Sequence, residues 1–299
     1  MTESSPSEKH VKSLEDFGPN LETRLIYAIL SQDRKPGMMI DVGANVGATL
    51  NDFLHSGWQI LAVEPDPRNV ERLKELFGDN ERLTIDTRAV TEKDGETLTL
   101  HVGLDSSMTT LSPFHDSHSP YVEVESVTLA MLCQENKIKD VDFLKVDAEG
   151  FDFFVLKSID WTLTHPRIVM TEFEDKKSKP LGYTFQDMCH YMADKGYHIL
   201  VSERFPLLGY AASNPRRRRK FKPYPCELED GDAWGDILCF ADKKEFELAS
   251  FGADLMLSLQ RRIWDNETII DEKLLIIDKL TEVIETQNNI MRGTRRWAF

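Results

Sequence analysis

Acidic side chains that close short apolar runs are the residues of this chain best placed to do chemistry. The run Val141–Val146 ends in Asp147-Ala148-Glu149-Gly150, and Arg167–Phe173 ends at Glu172-Phe173-Glu174. Two further acids stand at the ends of earlier runs. Asp41 follows Met38-Met39-Ile40 and leads into Val42-Gly43-Ala44-Asn45-Val46-Gly47, while Glu64 follows Ile60-Leu61-Ala62-Val63. The glycines around Asn45 predict a turn feeding a helix, with a backbone that can come close to a ligand where a side chain would clash. Glu64, 17 residues beyond Gly47, is placed to accept hydrogen bonds from both hydroxyls of a ribose. Loop plus acid describes a nucleoside-binding half-domain.

The spacing narrows the nucleoside. A dinucleotide loop needs G-x-G-x-x-G to cradle a pyrophosphate. Here Gly43 and Gly47 stand four apart without the G-x-G pair, and Asp41 would repel a diphosphate. An acid suits a cationic ligand, and S-adenosylmethionine carries a sulfonium and an ammonium with no phosphate. The expected donor contacts are Asp41, Gly43, Asn45, Gly47 and Glu64, with Asp86 or Thr87 meeting the adenine edge from the end of the third strand.

Methyl transfer to a hydroxyl is an in-line displacement that needs alignment and the removal of one proton. Asp147, Glu149 and Glu172 are the candidate catalytic acids, and two versions stay open. In one, Asp147 or Glu149 is the general base. In the other, Asp147, Glu172 and Glu174 hold Mg²⁺, which acidifies the acceptor hydroxyl. A plainer alternative makes Asp147 and Glu149 caps of a helix starting near Phe151. Lys145, two residues before Asp147, is read as a structural partner of a carboxylate. His101, His115 and His118 rank below Asp147 as bases.

The elements that must position these residues alternate. Leu21–Leu30 has helical spacing, Met38–Val42 and Trp58–Val63 read as strands, and helices follow each of them. Leu83–Val90 reads as a third strand. Thr97–Val102 and Tyr121–Val127 alternate apolar and polar residues as an antiparallel pair would, with Ser106–Pro120 between them as a lid or substrate loop. Helix Thr128–Asn136, strand Val141–Val146, helix Phe151–Ile159, strand Arg167–Phe173, helix Thr184–Lys195 and strands Tyr197–Ser202 and Asp236–Ala241 complete the pattern. Such alternation predicts an α/β fold with a doubly wound, mainly parallel sheet, whose ligands gather outside the carboxyl ends of the strands.

Composition bounds the rest. The 299 residues give a leader over 1–19, a main domain over 20–248 and a helical tail over 249–299. A net charge of −15 argues against nucleic acid as a partner. No apolar run reaches membrane-spanning length and the first residues lack a signal-peptide core, so a cytoplasmic protein, peripheral at a membrane at most, is expected. Cys133, Cys189, Cys226 and Cys239 are too dispersed for a zinc or disulfide framework. Arg216–Lys222, flanked by Pro215 and Pro223, is an abrupt basic run expected outside regular secondary structure, either solvated or facing an anionic partner. In the tail, Ile263, Ile270, Ile277, Ile284 and Met291 recur every seven residues beside Ile269, Ile276, Val283 and Ile290. That repeat predicts a coiled coil or docking helix over 254–291, joining a homo-oligomer or an assembly complex, unless it folds back on its own domain.

Three segments, Ile40–Gly47, Val63-Glu64-Pro65 and Phe143–Gly150 with its K-V-D-A-E-G, resemble the FkbM family of S-adenosylmethionine-dependent methyltransferases. Ser106-Ser107 and Glu172 fit the same pattern, and the likeness spans about residues 37 to 205. The resemblance implies a Rossmann-like methyltransferase fold with a C-terminal helical extension. It also implies O-methylation of a sugar, glycan or natural-product hydroxyl. A surface polysaccharide or its precursor is the leading acceptor; a small natural product, or a degenerate domain acting as a scaffold through its tail, are the alternatives.

Overall fold

The computed structural model describes residues 21–33, 35–102, 109–113, 119–205, 219–259 and 262. The leader, Ser106-Ser107, His115, His118, Arg216–Arg218 and the apolar rows from Ile263 onward lie outside the described residues. The chain divides into one unit through Gly252 and a second from Ala253, whose residues 253–259 are helical. Everything below concerns the first.

Its strands are β1 (Met38–Val42), β2 (Gln59–Val63), β3 (Leu83–Asp86), β4 (Ala89–Val90), β5 (Thr97–Val102), β6 (Ser119–Val127), β7 (Phe143–Val146), β8 (Ile168–Glu174), β9 (His198–Arg204), β10 (Arg219–Pro223) and β11 (Trp234–Phe240). The helices are α1 (Leu21–Leu30), α2 (Leu50–His55), α3 (Pro67–Phe77), α4 (Leu129–Glu135), α5 (Asp152–Lys157), α6 (Asp175–Ser178) and α7 (Phe185–Asp194), and residues 243–252 are helical as well. Eight strands make the central sheet in the order β10-β9-β11-β8-β7-β1-β2-β3. The five from β8 to β3 are parallel, and β11, β9 and β10 add antiparallel pairs. Successive strands leave β1 in opposite directions, β2 and β3 on one side and β7 and β8 on the other. The strand order therefore reverses at β1, where an open α/β sheet leaves a crevice.

The central strands are apolar because both of their faces are covered. All four residues of β7 are buried, as are four of the five in β1. Lys145 and Asp41 are the polar exceptions. The β1–β7 register sets them side by side, and the Lys145 ammonium lies 3.2 Å from the Asp41 carboxylate.

Two expectations needed correction. Leu83–Val90 is not one strand. The Asp86 carboxylate accepts the Arg88 N–H at 2.9 Å and grips the Arg88 guanidinium, which turns the chain at Thr87. Ala89–Val90 then joins β6 and β5 in a separate three-stranded sheet. The basic run is not wholly irregular either. Arg219–Pro223 is an edge strand paired with β9, and Pro223 sits where an edge tolerates a residue without an N–H. Its cations are already matched: Arg219 pairs with Glu22, Lys220 with Glu229 and Lys222 with Glu203.

Beneath the parallel strands, Phe53 of α2 is fully buried, with the rings of Tyr27, Trp58 and Phe143 at 5.1, 5.0 and 5.5 Å. The edge-to-face contacts with Tyr27 and Trp58 add to the burial of the ring itself. Phe53→Ala is expected to lower the urea-unfolding free energy by about 3–5 kcal/mol; a loss below about 1 kcal/mol would mean the cavity collapses instead.

Candidate functional site

The ends of β1, β2 and β7 surround a cleft of about 810 Å³, counting its open mouth. Val42, Gly43, Asn45, Glu64 and Asn69 line one wall, Arg88, Ala89 and Val90 a second, and Asp147, Ala148 and Glu149 a third, with Thr109, Thr110 and Leu111 across the top.

Glu64 is 4% exposed. One carboxylate oxygen accepts the Asn45 N–H at 2.7 Å, and the other accepts the Asp66 N–H at 2.9 Å and the Asn69 amide at 3.4 Å. Burial lifts its carboxyl to about 7, against the pull of these donors. A carboxylate held this firmly in a cleft wall, with lone pairs to spare, fits the diol of a ribose. Asn45 takes a left-handed φ of +51° to aim its N–H at Glu64. The residue binds the wall through its backbone, which accounts for its place between the glycines.

The glycines serve the chain's own packing. A Cβ on Gly43 (φ +77°) would lie 1.8 Å from the Asp147 carbonyl oxygen, so the β1 loop passes hard against the end of β7. The space beside Gly47 is taken by Phe77 and Leu73 of α3, and Gly47 does not line the cleft. Asp41 is likewise not a wall residue. It is fully buried, accepts from the Thr49 hydroxyl and pairs with Lys145, so its charge is matched internally rather than offered to a cationic ligand. Burial raises its carboxyl, with Lys145 and Thr49 opposing. Asp86 and Thr87 also stand outside the wall, because the turn after β3 presents Arg88 in their place.

The catalytic candidates converge on the third wall. Carboxylate oxygens of Asp147, Glu149 and Glu172 lie within 4.8 Å of one another. Glu174, expected as a metal ligand, is not in that trio. Through Lys177 of α6 the grouping becomes a cage: its ammonium is 2.7 Å from Glu149, 3.1 Å from Glu172 and 3.0 Å from Glu174. Burial opposes the Lys177 charge, but the Glu172, Glu149 and Glu174 carboxylates outweigh it and hold the ammonium well above its usual value. Burial likewise lifts Glu172 strongly and Glu149 to about 7, with Lys177 pulling the other way. Asp147 meets Lys145 at 3.4 Å.

Neither Asp147 nor Glu149 caps the next helix. The residue before α5, Phe151, has no side-chain cap, and it is Asp152 that accepts the Ala148 and Gly150 N–H groups, each at 3.1 Å. Lys177, Asp152 and Thr110 escaped the reading of the sequence. Asp152 had a signal, an acid in the first turn of a helix. Lys177 had none, standing in a run of three charges after β8. His101 stands on β5 outside the cleft wall.

Removing the ammonium would leave three partly buried carboxylates without their cation. Lys177→Met is expected to cost about 3–5 kcal/mol of unfolding free energy at pH 7. Lys177 lowers the carboxyl values, so without it Glu149 and Glu172 protonate more readily, and protonation removes their repulsion. The loss should therefore shrink as pH falls toward about 7, where Glu149 takes up its proton in the variant before it does in the parent, and level off below that, where the parent's Glu149 is protonated as well; a loss independent of pH above about 7 would show that the cage is not electrostatically coupled.

Residues 41–199 match the family described as Methyltransferase FkbM domain. The 2-O-methyltransferase NoeI of Sinorhizobium fredii is 26% identical over 177 residues, covering 53% of this chain and 72% of that protein. Among solved structures, magnesium protoporphyrin IX methyltransferase of Synechocystis PCC 6803 with bound SAM aligns at TM-score 0.40 and 10% identity, over 75% of this chain and 79% of that one. Precorrin-6y C5,15-methyltransferase of Geobacter metallireducens aligns at TM-score 0.38 and 10% identity, over 73% and 88%. The family match takes in every wall of the cleft and more than half of the sequence: the chain belongs to the FkbM family and is an S-adenosylmethionine-dependent methyltransferase.

Proposed function

We propose that the enzyme methylates oxygen, on a sugar hydroxyl of a glycan or its precursor, with Glu149 as general base. One juxtaposition carries this reading. A cleft whose first wall offers a ribose-accepting Glu64 has, on its third wall, a carboxyl lifted to about 7. A base poised near neutral pH is what removal of a hydroxyl proton needs. Oxygen as the methylated atom is further supported by the name of the relative NoeI, a 2-O-methyltransferase. A neutral, hydroxyl-rich acceptor also suits a wall whose polar groups are carboxylates, since an anionic acceptor would be repelled there.

S-adenosylmethionine supplies an activated methyl carbon and a neutral thioether leaving group. Glu64 and Asn45 would hold the ribose end, and the wall at Asp147 and Glu149 would face the reacting end. In that arrangement the acceptor oxygen would take the methyl group as the carbon–sulfur bond is lost, and Glu149 would take the hydroxyl proton. Lys177 keeps Glu149 in place and shares its charge once the proton has left.

Mg²⁺ fits this wall poorly. Asp147, Glu149 and Glu172 have suitable oxygens, but the Lys177 ammonium already lies against two of them. We therefore route no step through a metal. Turnover is expected to survive EDTA; a loss restored by Mg²⁺ would replace the base reading with a metal site.

The direct test is calorimetry with S-adenosylhomocysteine, followed by a panel of methyl glycosides with S-adenosylmethionine, reading the release of S-adenosylhomocysteine. Glu64→Ala should weaken binding by about tenfold or more. Glu149→Gln should spare binding and lower kcat by about 10²–10⁴. In the parent enzyme kcat should rise with pH through about 7, as Glu149 loses its proton, and that limb should vanish in Glu149→Gln. Transfer to amines or thiols but to no glycoside would overturn the acceptor class.

A further inference from the structure

The residue read as the base has an unusual backbone. Glu149 takes a left-handed φ of +49°, and Gly150 follows at +98°. An L residue other than glycine rarely adopts that region and keeps it only when its surroundings hold it there. The loop is held at four points. Asp152 accepts the Ala148 and Gly150 N–H groups, each at 3.1 Å, and the Tyr183 hydroxyl donates to the Gly150 carbonyl at 2.6 Å. The fourth bond is the only one of these to reach Glu149 itself: the Thr110 hydroxyl donates to its carbonyl at 2.9 Å.

Thr110 is built for that bond. It is 2% exposed. Its N–H donates to the His101 carbonyl at 2.9 Å and its carbonyl accepts the His101 N–H at 2.8 Å, which ties it to the smaller sheet. A hydroxyl has one hydrogen to give. Two carbonyls are within its reach, that of Glu149 at 2.9 Å and that of Ser112 at 3.2 Å, and with the hydrogen on the nearer one the oxygen accepts the Ser112 N–H at 3.1 Å. The preceding residue anchors the same strap at the opposite wall, where the Thr109 hydroxyl donates to Asp66 at 2.9 Å, two residues from Glu64.

We propose that Thr110 is a positioning residue for methyl transfer, its hydroxyl fixing the Glu149 backbone so that the carboxylate stays at the cleft wall against Lys177. The smaller sheet thereby places the base, and the strap of Thr109 and Thr110 sets the distance between the ribose wall and the catalytic wall. This rests on the reading of Glu149 as the base.

The test compares Thr110→Val, which keeps the shape and loses the hydroxyl, with Thr110→Ser, which keeps the hydroxyl. Both are measured in the full chain with saturating S-adenosylmethionine and the methyl glycoside that the parent enzyme turns over best. Thr110→Val is expected to lower kcat by about a hundredfold, with binding of S-adenosylhomocysteine changed by less than about twofold. Thr110→Ser should recover kcat to within about threefold of the parent. In a Glu149→Gln background, Thr110→Val should lower kcat no further, since it acts through the group already removed. A crystal structure of Thr110→Val should show Glu149 out of the left-handed region and away from Lys177, a readout that needs no acceptor. Full turnover in Thr110→Val, or a further hundredfold loss in the double variant, overturns the proposal. If Thr110→Val does not fold, Thr110→Ala carries the same expectations. A fully active Glu149→Gln removes the base assignment and the proposal with it; an inactive Glu149→Gln beside a fully active Thr110→Val removes the proposal alone.

Discussion

An ammonium among carboxylates can be buried only where each charge repays the hydration it has lost. Lys177 meets that condition with Glu149, Glu172 and Glu174, all within 3.1 Å. Breaking one member of such a group leaves an uncompensated buried charge, so the four residues hold one another in place. The arrangement draws on three separate segments: the loop after β7 gives Glu149, the end of β8 gives Glu172 and Glu174, and α6 gives Lys177. Gly150 lets α6 come close, because a Cβ there would lie 3.2 Å from that of Lys177. The position of Glu149 and the cohesion of the strand ends are thus one electrostatic problem.

A second constraint joins this cluster to the Glu64 wall. Gly43 crosses the Asp147 carbonyl with no room for a side chain, while the Asp147 N–H donates to the Val42 carbonyl at 2.9 Å. The Gly43 and Ala44 N–H groups meanwhile share the Val63 carbonyl, just before Glu64. Glu64, the glycine loop and the loop after β7 are therefore in register through backbone bonds. Lys145, held between Asp41 and Asp147, adds a charge contact at the same junction.

Much of this was legible in the sequence. Hydrophobic periodicity located the parallel strands, and acids at their ends marked Glu64, Asp147, Glu149 and Glu172, because strand ends are where an α/β sheet presents side chains to a ligand. What stayed hidden depends on contacts between distant segments. Asp41 looked like a ligand group because it ends a strand, yet the β1–β7 register sets Lys145 beside it, and register is not written in either strand alone. Leu83–Val90 looked like one strand because Arg88 could not be seen turning back onto Asp86. Thr110 is a small hydroxyl in a turn-rich stretch, and only its meeting with Glu149, 39 residues away, gives it meaning.

The position of β11 carries a consequence for how the polypeptide acquires its fold. This strand, nearly last in the unit, lies between β8 and β9 and bonds to both along seven residue pairs on each side. Until Trp234–Phe240 has left the ribosome, β8 carries a bare apolar edge and β9 has no place in the sheet. A nascent chain stalled short of that point presents the kind of unpaired edge that recruits other chains. Long-range closure of this sort is slow, so the domain's exposure to aggregation is greatest late in synthesis, when the five parallel strands can already be joined.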